Sequence, residues 1–217
     1  MVTGIDGFYH DARLRIAALV EDLPPEARAA PVPACPGWEV RDVVAHLAGV
    51  AEDAVTGRLT GPPTESQTAE QVDRCRALSC EVVLERWALA APGFERRIGA
   101  AQIWPAVVDV LSHEHDIRGA VGRPGARDVP AVRAVTDLLL RFKPPVPMTI
   151  EVEDSTFRLG DPAADALALR TSRWEALRWR TGRRSRAQLA AMDWSRDPGP
   201  VLDHLAFFGP AGADVVE

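Results

Sequence analysis

Asp109-Val110-Leu111-Ser112-His113-Glu114-His115-Asp116 and, upstream of it, Val40-Arg41-Asp42-Val43-Val44-Ala45-His46-Leu47 decide how this chain is read. Both stretches read as helix, and both set metal-ligating side chains among apolar ones. Asp109 and His113 are four residues apart, so they stack on one helix face, and Asp116 continues that stripe at i+7. His115 sits about 200° around the helix from His113 and is assigned to an outer face or an inter-domain contact. His46 lies on the apolar stripe of Val43 and Val50, where a buried imidazole must find a partner. Asp42, one turn earlier, either orients His46 or merely complements the helix N-terminus. If the two helices pack side by side, His46, Asp109 and His113 form a two-histidine, one-carboxylate site. Three protein ligands leave a position open for water or substrate, which is the catalytic rather than the structural arrangement.

Outward from these segments, four long helices are expected, over about Ile5 to Leu23, Glu39 to Thr56, Ser66 to Ala90 and Ala101 to Gly122. Pro24-Pro25 and Pro92-Gly93 read as stops, and Pro105 fits a first helical turn. Long helices with ligands turned inward describe a four-helix bundle with a metal site in its core. A fifth helix, Asp128 to Phe142, leads into Pro144-Pro145-Val146-Pro147, read as a linker. The apolar period then falls from 3.6 to 2, giving strands at Met148 to Val152 and Thr156 to Leu159, with a third at Asp165 to Thr171. Helices over Arg173–Arg180, Ser185–Met192 and Pro200–Phe208 complete the reading. The fold class is α+β: residues 1–143 form a metal-binding helical bundle and residues 144–217 a smaller C-terminal mixed α/β domain.

A net charge of −6 gives no nucleic-acid footprint. The basic run Arg178, Arg180, Arg183, Arg184, Arg186 is offset by flanking acids and reads as a solvated helix face. The N-terminus shows no signal peptide, and no apolar run reaches the roughly 18 residues that span a bilayer, so neither a membrane nor export is expected. Cys35, Cys75 and Cys80 are odd in number and lack CxxC spacing. That favours a reducing cytoplasm with each cysteine a small buried hydrophobe, a redox-active Cys35 being the alternative.

Cys35-Pro36-Gly37-Trp38-Glu39-Val40-Arg41-Asp42-Val43-Val44-Ala45-His46-Leu47 resembles the first motif of the DinB-like, mycothiol-dependent maleylpyruvate isomerase family of actinobacteria. His113-Glu114-His115-Asp116-Ile117-Arg118-Gly119-Ala120 is similar to that family's second motif. Thr181-Gly182-Arg183-Arg184-Ser185 and Phe207-Phe208-Gly209 resemble parts of its C-terminal domain. The resemblance implies a DinB-like bundle carrying a divalent metal, usually zinc, on His46, Asp109 and His113. The family's acid is commonly glutamate; the shorter Asp109 also admits nickel, iron or manganese. It further implies mycothiol as a thiol cofactor, with Trp38 and Arg118 as residues to bind it. Trp38 either lines the mouth of the site or anchors the core. Arg183 and Arg184 either hold a carboxylate or the cofactor's polar arm, as catalytic residues, or are charges on an exposed turn.

The activity so implied is a metal- and small-thiol-dependent isomerase or S-transferase acting on a small electrophile. A thiolate adds to the substrate; elimination then gives an isomer, and retention gives a conjugate. The alternative is a non-enzymatic metal- or small-molecule-binding stress or regulatory protein on the same scaffold. A facial-triad iron oxygenase matches the ligand set, but those sites usually sit on β-barrels. The expected partners are the substrate and the thiol, with no nucleic acid or membrane, in a monomer or homodimer.

Overall fold

Ser79 cuts in two what the sequence presents as one helix, and Thr64 starts its first half. Each is an N-cap whose hydroxyl accepts from the third residue beyond it, Gln67 N and Val82 N. In the computed structural model, which describes residues 4–161 and 166–217, the expected helix 66–90 is therefore a pair, α4 over Glu65–Cys75 and α5 over Cys80–Ala101. The others of this part are α1 (Ile5–Glu21), α2 (Pro25–Arg28), α3 (Val40–Thr56) and α6 (Trp104–Ala120). Helix α5 also runs through Pro92, which was expected to end it. A proline inside a helix costs about 3 kcal/mol. Beyond Pro92 the stripe of Val83, Leu84, Trp87, Ala90 and Ala91 continues with Phe94 and Ile98, both buried. Each of those two side chains returns about 1.5–3 kcal/mol on burial, so packing outweighs the lost hydrogen bond.

The chain divides into two units, one running up to Gly125 together with Glu217, the other Ala126–Val216. In the first, α1 packs on α5 and α6, and α3 packs on α5 and α6, so the four long helices close a ring, and α4 lies along α3. Ile16, Leu47, Trp87, Ile98, Leu111 and Ile117 fill the middle. Trp87 Nε1 donates to the Tyr9 hydroxyl at 2.9 Å, and Tyr9 meets Phe94 edge to face. None of the described helices is long and apolar enough to cross a membrane.

The second unit holds α7 (Pro130–Leu139), β1 (Met148–Val152), β2 (Ser155–Leu159), β3 (Leu167–Arg170), α8 (Arg173–Arg180), α9 (Arg186–Ala190) and β4 (Asp193–Trp194). The sheet order is β2-β1-β3-β4, with β1 antiparallel to β2 but parallel to β3, and β3 antiparallel to β4. Met148, Ile150, Leu167 and Leu169 present one sheet face to Ala176, Trp179 and Leu189. The expected strand start at Asp165 lies outside the described residues. Two-residue β4 is too short for its alternation to show in sequence. The helix expected at Pro200–Phe208 is only a 3-10 turn, Leu202–His204. Its backbone is drawn to α8 instead: Arg180 Nη1 donates to the Leu205 carbonyl, and Phe207 N donates to Arg180 O.

The basic run is not a solvated face. Arg178, Arg180 and Arg184 are all buried. The Arg180 guanidinium lies 3.8 Å from the Phe207 ring centre and 4.1 Å from that of Phe142, and burial pushes its pKa down to about 10.

Candidate metal centre

Glu39 and Asp42 start α3 with a capping box, the Glu39 N–H donating to Asp42 Oδ2 at 2.9 Å. Asp42 thus serves the helix terminus and does not orient His46. From this start the α3 stripe turns His46 inward, and α6 turns Asp109, His113 and Asp116 toward it. The candidate ligand atoms of His46, Asp109 and His113 lie within 4.8 Å of one another. His46 Nε2 is 3.5 Å from Asp109 Oδ2, and His113 Nε2 is 3.5 Å from Asp109 Oδ1.

Both imidazoles are held from behind. Gln71, on α4, places Oε1 3.0 Å from His46 Nδ1 and donates through Nε2 to Asp53 Oδ2 at 3.0 Å. A carboxylate only accepts, so the Gln71 amide nitrogen faces Asp53, its oxygen faces His46, and His46 Nδ1 carries the hydrogen. Likewise Asp116 Oδ2 lies 2.9 Å from His113 Nδ1. A neutral imidazole whose Nδ1 is spent as donor shows a bare lone pair at Nε2. Two such lone pairs facing one carboxylate repel unless a cation lies between them.

A tetrahedral ion with bonds of about 2.0–2.1 Å sets its ligand atoms about 3.3–3.4 Å apart, close to the 3.5 Å from each histidine to its nearer Asp109 oxygen. The residues therefore fit a divalent metal, each histidine carrying the oxygen partner on its far nitrogen that such ligands need. The site opens at Asp109, whose side chain is 36% exposed against 5% for His46 and 8% for His113.

Trp38 arrives from the loop before α3. Gly37 takes φ +85°, a left-handed conformation that suits glycine, and the Trp38 N–H donates to Cys35 O. The indole lies 5.5 Å from the His46 ring and stacks on His113 at 6.3 Å with 23° between planes. The same loop sets Cys35 Sγ 3.5 Å from Asp116 Oδ2 and 3.8 Å from His113 Nδ1. Cys35, His113 and Asp116 also satisfy metal-ligand spacing. Because His113 Nδ1 is at hydrogen-bond distance from Asp116, this second trio reads as the support behind the first. Tyr9 is held protonated by burial, with the negative charges of Asp109 and Glu95 adding to the effect.

The other sequence-derived residues have partners of their own. Arg118 is about 140° around α6 from His113, where it donates to Glu114 through Nε and Nη2 at 3.1 Å. Arg15 grips the same buried carboxylate at 2.6 and 2.9 Å. His115 is buried too, so it does not lie on an open outer face. Arg183 and Arg184 belong to the second unit. Arg184 is buried and forks onto both oxygens of Glu175, while Arg183 is partly exposed and donates to Thr181 O at 2.7 Å. Gln71 and Asp53 were not legible as site residues: an isolated glutamine on a polar helix carries no metal signature.

The family model for the mycothiol maleylpyruvate isomerase N-terminal domain matches residues 9–129. Among solved structures, a mycothiol-dependent maleylpyruvate isomerase superposes with a TM-score of 0.60 at 15% identity, covering 90% of this chain and 94% of that one. A histidine-to-alanine mutant of a mycothiol-dependent maleylpyruvate isomerase gives 0.57 at 13% identity, covering 82% of this chain and 88% of that one. At these identities the likeness establishes the shared fold, a helical unit followed by a small mixed sheet. No curated protein matches the sequence significantly.

Proposed function

The chain belongs to the mycothiol maleylpyruvate isomerase N-terminal domain family, and from that premise we propose that it is a metal- and mycothiol-dependent enzyme that isomerises a small electrophile or transfers the thiol to it. The observation that carries this reading is the convergence of the Nε2 atoms of His46 and His113 on the Asp109 carboxylate, whose side chain is open to solvent. His46, Asp109 and His113 would hold the ion. A divalent metal there, zinc by preference and otherwise nickel, iron or manganese, would supply a Lewis acid able to lower the pKa of a bound thiol.

The surrounding residues have distinct tasks. Asp116 fixes the His113 tautomer, so that His113 offers Nε2 and not a proton. Trp38 covers both imidazoles, excludes water from that side, and offers an apolar face to the substrate skeleton or the thiol. Within the second unit, Arg183 is the more exposed of the two arginines and is the one proposed to take the charge of an anionic substrate, while Arg184, forked onto Glu175, fixes the turn that carries it.

The test is metal analysis of the purified protein, followed by turnover of maleylpyruvate and of maleyl, epoxide and quinone electrophiles with and without mycothiol. Turnover only with the thiol supports the enzyme. Bound metal without thiol-dependent turnover of any of them would favour a metal-binding stress or regulatory protein.

A further inference from the structure

Asp53 lies two turns beyond His46 on α3, and Gln71 of α4 bridges the two, contacting His46 Nδ1 with one end of its amide and Asp53 with the other. All three side chains are buried, Gln71 completely. Asp53 is anchored in turn: Arg74 Nη2 donates to its Oδ1 at 2.9 Å, and Arg58 Nη1 approaches the same oxygen at 3.3 Å. The hydrogen bonds therefore converge on Asp53: the imidazole donates to the amide oxygen and the amide nitrogen to the carboxylate, while arginine donates to the same carboxylate from the other side.

A second observation explains how α4 comes close enough. Gly49 sits inside α3, a position where glycine is disfavoured relative to alanine. A Cβ at residue 49 would meet Gln71 Cβ at 2.6 Å, Cγ at 2.7 Å and the Gln71 Cα at 3.3 Å. Gly49 leaves a notch, and Gln71 lies in it. One turn from His46, this is where a side chain from another helix can reach Nδ1.

We propose that Gln71, seated in the Gly49 notch and anchored by Asp53 and Arg74, is a positioning residue that locks His46 in its Nδ1–H tautomer with Nε2 turned toward Asp109. Without it, His46 would hold a buried donor with no acceptor, and the ring would rotate or move its proton to Nε2, where it would block a metal. The proposal rests on the metal reading above for its consequence, but the tautomer itself is a property of the metal-free protein.

Two measurements on the full-length chain test it. Nitrogen-15 NMR of the metal-free protein reads the His46 tautomer, and competition against a chromogenic chelator reads zinc affinity. In the parent protein His46 is Nδ1–H; Gln71→Leu should lose that tautomer and bind zinc about 10- to 100-fold more weakly. Gly49→Ala, which displaces Gln71, should shift both readouts the same way. The double variant Gln71→Glu with Asp53→Asn returns an acceptor to His46 and a donor to residue 71, and should restore zinc affinity to within a few-fold. A structural role alone would not distinguish this double variant from Gln71→Leu.

Parent-like tautomer and zinc affinity in Gln71→Leu would overturn the relay while leaving the metal site standing. A parent protein with His46 as Nδ1–H that binds no zinc would overturn the metal reading while leaving the relay standing. Should Gln71→Leu not fold, failure of the folded double variant to keep the Nδ1–H tautomer overturns the relay.

Discussion

His113 Nε2 and Asp109 Oδ1 face each other across one turn of α6 at 3.5 Å, and the far nitrogen of the same ring meets Asp116 on the following turn at 2.9 Å. One helix thus supplies two candidate ligands and the support of one of them, leaving only His46 to come from elsewhere. His46→Ala and His113→Ala should each remove most of the metal measured in the purified, folded protein. His115→Ala should keep it, with some loss of stability from the cavity left at a buried position. Equal metal loss from His113→Ala and His115→Ala would overturn the ligand assignment.

Asp116 and Glu114 are both buried acids on α6 with opposite expected effects. Asp116→Asn alters the hydrogen bond behind His113, so metal affinity should fall by about 10- to 100-fold, with a smaller change in melting temperature. Glu114 touches no candidate ligand and neutralises Arg15 and Arg118. Glu114→Ala leaves both arginines without that carboxylate and should cost about 3–5 kcal/mol of stability while leaving metal affinity close to parental in the folded fraction. Denaturant titration and metal competition on the two variants separate the effects.

The α6 half of the site was legible because helical geometry alone places Asp109, His113 and Asp116 on one stripe. The same holds for Val43, His46 and Val50 on α3, and the switch to period 2 at Met148 announced the sheet. What escaped reading depends on long-range partners. Gln71 acquires its role only when α4 folds onto Gly49, and Asp42 proved to be a cap because its carboxylate accepts from the Glu39 backbone N–H. Pro92 is a strong local stop, overruled here by the burial of Phe94 and Ile98 beyond it. Arg180, in a run that looks solvated, is covered by two phenylalanines far away in sequence.

Glu81 gives an acid-labile contribution at the start of α5. Its carboxylate is held down to about 2 by the backbone N–H at the helix start, with the Arg28 guanidinium and the Ser79 hydroxyl adding to it. The folded value lies below the unfolded one, so the unfolded state binds more protons in the interval between them. The stabilisation is therefore present above about pH 4.5 and is lost as pH falls through about 2. Glu81→Gln should be less stable than the parent at neutral pH, and the gap should close across that window in denaturant titrations. A gap that does not change with pH would show that charge is not the cause.

Arg183 and Arg184 are adjacent in sequence but differently engaged, and this difference predicts distinct kinetics. Arg184 is buried and gives two donors to Glu175, so Arg184→Ala leaves that carboxylate without its fork and should lower the melting temperature. Its effect on catalysis should follow loss of folded protein and not appear as a selective change in KM. Arg183 is partly exposed, and its Nη1 donates to the Thr181 carbonyl. If Arg183 holds an anionic substrate equally in ground and transition states, Arg183→Ala raises KM and leaves kcat nearly unchanged. One charge-assisted hydrogen bond is worth about 1.5–3 kcal/mol, which sets the expected rise in KM at roughly 10- to 100-fold. Lysine at 183 should recover part of the loss as a point charge but not a two-point grip. A neutral electrophile should show no such dependence, which makes it the internal control. Parental KM for the anionic substrate in Arg183→Ala, with stability unchanged, would show that Arg183 does not hold the substrate.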